Sequence, residues 1–118
     1  MKPVRCFHAH VYFDAGTRQQ AVRLREELGR RFAVGLGRIH DRPIGPHPKP
    51  MFQALIATSD FGNIVPWLMQ NRAGLDVLVH PDTADDLGDH RDRPLWLGNA
   101  LPIRLDQFEV RTPLSASG

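Results

Sequence analysis

The chemistry of this chain is concentrated in its histidines, six in 118 residues. Four of them fall in three short phrases: His8-Ala9-His10, Gly45-Pro46-His47-Pro48 and Val79-His80-Pro81. The other two, His40 and His90, each stand beside an aspartate. Histidine is the commonest metal ligand and has a side-chain pKa near neutrality. The pattern therefore predicts an imidazole metal site or a histidine acid–base site, provided that the fold brings these residues together.

Composition narrows the class of protein. We expect one domain over residues 1–111 and a disordered tail over residues 112–118. The 15 basic and 13 acidic residues are spread along the chain and leave a net charge of +2, which does not favour a nucleic acid partner. No apolar run approaches the length of about 18 residues that a membrane span needs. The single cysteine excludes an internal disulfide, so we expect a cytoplasmic protein.

Apolar periodicity supplies the secondary structure that must position the histidines. Residues 5–13 alternate with period two, as a half-buried strand does, and residues 18–32 repeat at helical spacing. Further strands are predicted over 34–40, 51–58 and 75–80, with a second helix over 60–71. The order β-α-β-β-α-β predicts an α+β, ferredoxin-like fold: an antiparallel sheet with two helices on one face. Residues 95–97 and 102–108 are predicted to be short extended pieces.

This fold would gather the histidines on one side of the sheet. Alternate residues of a strand share a face, so His8, His10 and Tyr12 should point away from the helices. The last strand of the repeat should pair with the first and add His80 to the same face. The proline-rich loop 41–50 could fold over that face and bring His47 to it. We expect a second subunit or the chain's own tail to cover this face.

Four phrases of the chain, taken together, resemble a known family. They are HAHVYFD, GRIHDRPIGPHPKPMF, WLMQNRAGLDVLVHPDTADDLGDH and LWLG, and they extend over roughly residues 6–101. In this order they are similar to the small DOPA 4,5-dioxygenase family. The resemblance implies a ferredoxin-like fold that commonly self-associates, and extradiol opening of a catechol ring with non-haem iron and dioxygen. The family's histidine-bearing motifs match His8, His10, His47 and His80, and lesser motifs match His40 and His90.

The chemistry of such a reaction assigns expected roles to these histidines and to neighbouring side chains. The expected ligands of Fe(II), or of zinc or another divalent ion in a crystal, are His8, His10, His47 and His80. The expected catalytic residues, which move protons or contact substrate oxygen, are His10, His47 and Tyr12. The groups expected to bind the substrate, a catechol with a side chain, are Arg38, His40, Arg42 and Lys49. We also expect a homodimer or a higher homo-oligomer.

Several alternatives remain open at the level of sequence. The aspartates near these motifs, Asp14, Asp41 and Asp82, cannot be assigned to the metal, so a site of three histidines is an option. His90 follows Asp89 and is more typical of a surface or helix-end residue. The protein could instead be another metal-dependent enzyme, such as a zinc lyase, isomerase or hydrolase. It could also be a non-catalytic module that binds a partner on the open face of the sheet.

Overall fold

An antiparallel sheet of five strands forms the centre of this computed structural model, which describes residues 1–108. The strands are β1 (Cys6–Tyr12), β2 (Gly35–Leu36), β3 (Met51–Ile56), β4 (Val77–Asp82) and β5 (Leu95–Leu97). The helices are α1 (Arg18–Arg31), α2 (Phe61–Asn71) and α3 (Asp86–Arg91), with short 3-10 turns at Thr58–Asp60 and Leu105–Gln107. The strand order is β2-β3-β1-β4-β5, so β1 is central and β5 extends the sheet beside β4.

The predicted ferredoxin-like fold is confirmed, with local corrections. The second strand is much shorter than the predicted 34–40, because glycine at positions 35 and 37 weakens strand pairing. The chain returns to the sheet at a single bridge between His40 and Met51. The segment 102–108, predicted to be extended, contains a 3-10 turn. The predicted domain end, 109–111, and the predicted tail, 112–118, lie outside the described residues.

The helix face of the sheet forms the main core. The apolar residues of β1 predicted to face the helices, Ala9 and Val11, are fully buried there. They pack with buried residues of both long helices: Ala21, Leu24, Leu28, Ile64, Val65 and Leu68. Pro66 lies inside α2, beyond the first turn, where proline is best tolerated. Proline has no N–H to donate to the carbonyl four residues earlier in the helix. That carbonyl belongs to Gly62, which is exposed, so it is not a buried acceptor without a partner.

The opposite face carries a smaller apolar cluster, which the chain covers itself. Tyr12, Met51 and Leu78 are buried there beneath Trp96, Leu101 and Ile103. We call residues 96–108 the C-terminal cover. Its backbone reaches the proline-rich loop, because the N–H of Arg104 donates to the carbonyl of Pro46 at 2.8 Å. Part of the expected cover thus comes from the chain itself, over residues 96–108. The tail over residues 112–118 lies outside the described residues, and cover by a second subunit stays a prediction. No helix within residues 1–108 is long and apolar enough to cross a membrane.

Leu78 tests the packing under the cover. Its side chain is completely buried, so Leu78→Ala should lower the free energy of unfolding by about 2–5 kcal/mol. The control is Leu95→Ala on β5, where the side chain is 39% exposed and the loss should stay below about 1 kcal/mol. Urea unfolding of both variants measures the difference. Equal losses would show that the C-terminal cover does not pack on this face in solution.

Candidate metal centre

The pairing of β1 with β4 brings three histidines together. His8 lies directly opposite His80, and His10 lies opposite Leu78. The Nε2 atoms of His10 and His80 are 3.0 Å apart, and the ring centroids of His8 and His80 are 5.1 Å apart. One ring nitrogen from each of the three lies within 4.8 Å of the other two. The face predicted for these side chains is the face that they occupy.

The proline-rich loop adds a fourth histidine, as the sequence suggested. His47 is 5% exposed, and its ring centroid is 4.2 Å from that of His10. A tight turn holds it, since its N–H donates to the carbonyl of Ile44 and Gly45 adopts φ +52°, which glycine tolerates at little cost. The Tyr12 hydroxyl lies 2.8 Å from His47 Nδ1.

A fifth histidine comes from α3. His90 lies in the last turn of this helix, as a helix-end residue should, but it is not a surface residue apart from the cluster. Its ring centroid lies 4.0 Å from that of His80 and 4.5 Å from that of Phe108. One of its ring nitrogens lies within 4.8 Å of ring nitrogens of His10 and His47. One sequence feature pointed to His90: it is the last residue of the phrase WLMQNRAGLDVLVHPDTADDLGDH, which resembles the family.

Hydrogen bonds fix which nitrogen carries the proton in two of these rings. His80 Nδ1 lies 2.8 Å from the carbonyl oxygen of Pro81, and His90 Nδ1 lies 2.7 Å from that of Asp86. A carbonyl only accepts, so each Nδ1 carries hydrogen and each Nε2 presents a lone pair. This arrangement is typical of histidines that bind metal through Nε2.

His10 shows the clearest fit to an ion. Because His80 Nε2 carries no hydrogen, His10 Nε2 must donate to it across 3.0 Å. Two nitrogen ligands at about 2.1 Å from one ion, at right angles, are also about 3.0 Å apart. His10 Nδ1 is buried and has no hydrogen-bond partner among the described residues. The buried histidine groups could therefore hold a metal ion, and imidazole suits iron, zinc and copper.

Burial keeps these imidazoles neutral. It lowers the pKa of His47 and of His80 to about 4, with nearby His90 adding to the effect. Burial also lowers the pKa of His10 far below its ordinary value, and those of His8 and His90 to a smaller extent. Neutral imidazole is the form that binds metal, so the cluster is ready for an ion at pH 7. Burial raises the pKa of Tyr12, which keeps its hydroxyl protonated.

Asp82 is the carboxylate that lies nearest to His8, at the edge of the cluster. Its Oδ2 is 3.8 Å from His8 Nε2 and 3.9 Å from the Sγ of the unpaired Cys6. Its Oδ1 forms a 2.6 Å ion pair with Arg5, which holds the pKa of this carboxyl below its usual range. Sequence reasoning could not choose among three aspartates, because the choice depends on where β4 ends.

Three of the four predicted substrate-binding groups lie together. Arg38, His40 and Arg42 line a groove of about 340 Å³, to which Lys49 does not contribute. Asp41, also in the groove, is paired with Arg18 at 2.6 Å. Within residues 1–108, no carboxylate forms an ion pair with Arg38 or Arg42. The groove therefore presents uncompensated positive charge.

The comparison with protein families agrees with the histidine geometry. The model of the Dopa 4,5-dioxygenase family matches residues 7–107, which include all six histidines and nearly all of the C-terminal cover. The chain belongs to this family.

Relatives of this family member are known from fungi and a cyanobacterium. DOPA 4,5-dioxygenase of Amanita muscaria is 31% identical over 92% of this chain, and an uncharacterised 21.2 kDa protein of Botryotinia fuckeliana is 38% identical over 84% of it. The chain spans 52% and 61% of the length of these two relatives. A crystal structure of a candidate dioxygenase from Nostoc punctiforme is 55% identical and covers 88% of this chain and 90% of its own, with a TM-score of 0.87.

The metal-free protein should lose stability in acid. The pKa values of His47 and His80 are about 4 in the folded protein, against an ordinary value of 6.5. Lowered pKa values mean that the unfolded chain binds protons first as the pH falls. The stability from these two groups is complete above about pH 6.5 and is lost progressively toward about pH 4.

Urea unfolding in EDTA at pH 7, 6 and 5 measures this dependence. The His80→Asn variant removes one of the two groups and should show a shallower decline in the free energy of unfolding. Superimposable profiles for the variant and the parent would contradict the prediction.

Proposed function

We propose that this protein is a non-haem iron extradiol dioxygenase that opens the ring of a catechol bearing a side chain. The observation that carries the proposal is the cluster of neutral, buried imidazoles in a member of the Dopa 4,5-dioxygenase family. In such a reaction the carbon–carbon bond beside one hydroxyl-bearing carbon breaks, and both oxygen atoms of dioxygen enter the ring-opened product. A homodimer or a higher oligomer remains a prediction.

His10 and His80 are the residues best placed to hold Fe(II), through their Nε2 atoms. Their separation of 3.0 Å suits two neighbouring ligands, and His80 already donates its Nδ1 hydrogen to a backbone carbonyl, which leaves Nε2 free for the ion. His8 lies beside them at the more exposed end of the cluster. Held there, the iron would supply the chemistry that brings a catecholate and dioxygen into reaction.

His47 is better suited to hold a proton than to bind metal. The Tyr12 hydroxyl is protonated, is 2% exposed, and has His47 Nδ1 as its hydrogen-bond partner among the described residues. If the hydroxyl donates to Nδ1, the proton of the neutral ring resides on Nε2. His47 can then donate a hydrogen bond from Nε2 to an oxygen of the substrate or the ring-opened product, while Tyr12 fixes the orientation of the ring.

The positively charged groove is the proposed site for the substrate's side chain. Arg38 and Arg42 can bind a carboxylate through paired N–H donors, which lysine cannot do. His40 connects this groove to the cluster through Met51. Met51 pairs with His40 on one side and with Tyr12 on the other. A catecholic acid therefore fits the groove better than an uncharged catechol does.

The alternative of a partner-binding module has less support. Such a module would need an open sheet face, and here the C-terminal cover packs on Tyr12, Met51 and Leu78. A zinc enzyme of another type uses the same imidazoles, so the identity of the metal and the turnover of catechol distinguish it from the dioxygenase.

An aerobic panel of catechols with the iron-loaded protein tests the reaction. A catecholic acid should be consumed with one equivalent of dioxygen and give a yellow ring-opened semialdehyde. Visible absorbance measures the product, and an oxygen electrode measures the uptake of dioxygen. His10→Gln should lower turnover by at least about 100-fold and lose most of the iron. Gln70→Ala, at an exposed position of α2, is the control and should behave as the parent does. Bound iron without consumption of any catechol would overturn the dioxygenase proposal.

The variant His47→Gln tests the division of roles. If His47 acts on protons, kcat should fall by about 100-fold while the iron content is retained. Tyr12→Phe keeps the aromatic contact with Trp96 but removes the hydroxyl, and it should lower kcat in the same direction. Loss of iron from His47→Gln would instead make His47 a ligand.

A further inference from the structure

The short helix α3 lies beside the histidine cluster, since His90 on it contacts His80. It follows β4 after a sharp turn in which Ala84 adopts φ +69°, a conformation that is strained for a residue other than glycine. The buried residues of α3 are Gly88 and Asp89, so no apolar side chain of the helix is fully buried. Apolar burial therefore does not account for the position of the helix.

A polar network holds α3 instead, and we call it the Asp89 clamp: Thr83, Asp85, Asp89 and Arg93. Asp89 is 1% exposed, and its Oδ2 accepts from the N–H of Thr83 at 2.8 Å. Its Oδ1 accepts from Thr83 Oγ1 at 2.7 Å and from Arg93 Nε at 2.9 Å. Asp85 binds Arg93 Nη2 at 2.9 Å and caps the helix through the N–H of Gly88. A buried carboxylate is costly unless it is paired in this way.

The clamp determines where His90 lies, because it holds the carboxylate of Asp89 and His90 is the next residue. His90 Nδ1 donates to the carbonyl of Asp86, so the lone pair resides on Nε2. A ring nitrogen of His90 lies within 4.8 Å of ring nitrogens of His10 and His47, and the ring packs between those of His80 and Phe108. His90 therefore has the tautomer, the backbone partner and the neighbours of a metal-binding histidine.

We infer that His90 is a metal ligand delivered by α3, and that the Asp89 clamp positions it. This inference rests on the proposed metal site. It assigns the clamp residues as positioning residues, since they hold His90 rather than contacting the ion. The nearest alternative is that His90 merely fills space between His80 and the C-terminal cover.

Titration of the EDTA-treated protein with Co(II) tests the inference without turnover. The visible absorption of bound Co(II) depends on its ligands, so His90→Gln should alter the spectrum and weaken binding by at least about tenfold. Asp89→Asn loses the charge that holds Arg93 and should weaken binding by about tenfold. Arg91→Ala is the matched control on the same helix, because Arg91 is exposed and pairs with Asp92. It should bind as the parent does.

Two variants of Thr83 separate positioning from general destabilisation. Thr83→Ser keeps the hydroxyl that donates to Asp89 and should retain Co(II) affinity, whereas Thr83→Val should lose affinity. Urea unfolding of each metal-free variant shows whether the fold is intact. If Asp89→Asn does not fold, the comparison of Thr83→Val with Thr83→Ser decides the role of the clamp.

The outcomes also separate this inference from the proposed function. If His90→Gln keeps the affinity and spectrum of the parent while His10→Gln loses them, His90 is not a ligand and the metal site stands. If Thr83→Val and Asp89→Asn bind normally while His90→Gln does not, the clamp has no positioning role. If His10→Gln and His90→Gln both bind Co(II) as the parent does, the proposed metal site itself fails.

Discussion

The register between β1 and β4 is the constraint on which the site depends. It sets His8 opposite His80 and brings the Nε2 atoms of His10 and His80 to 3.0 Å. A shift of one residue in either strand would turn its side chains to the other face of the sheet. The imidazoles would then enter the apolar core, and Ala9 and Val11 would leave it. The apolar burial that stabilises the helix face therefore also places the histidines.

Covering the cluster determines its protonation. Phe108 of the C-terminal cover packs against His90, the proline-rich loop buries His47 beside His10, and desolvation is the largest cause of the lowered pKa values of the cluster. Burying several neutral histidines beside one another lowers the free energy of unfolding in acid. At pH 7, however, every neutral ring can serve as a ligand. The contact between Arg104 and Pro46 connects the two covering segments, so the loop that holds His47 does not depend on β3 alone.

The partners of the Nδ1 atoms divide the histidines into two groups. His80 and His90 donate to backbone carbonyls, which cannot change their role as acceptors, so their Nε2 lone pairs are permanent. His47 instead faces the Tyr12 hydroxyl, which can donate or accept. A fixed tautomer suits a ligand, and an adjustable partner suits proton transfer. The proposed roles follow this difference rather than the positions of the histidines in the chain.

The sequence by itself determined the parts of this protein that depend on local periodicity. Period two in β1 placed His8, His10 and Tyr12 on one face, and the order of strands and helices gave the ferredoxin-like fold. The tertiary structure alone decided the position of His90 and that of the Asp82 carboxylate. His90 is placed by a network between Thr83, Asp85, Asp89 and Arg93, and such side-chain pairing leaves no periodic trace in a sequence. Periodicity reports which face of an element is buried, whereas the docking of a short polar helix depends on contacts that exist only after the chain has folded.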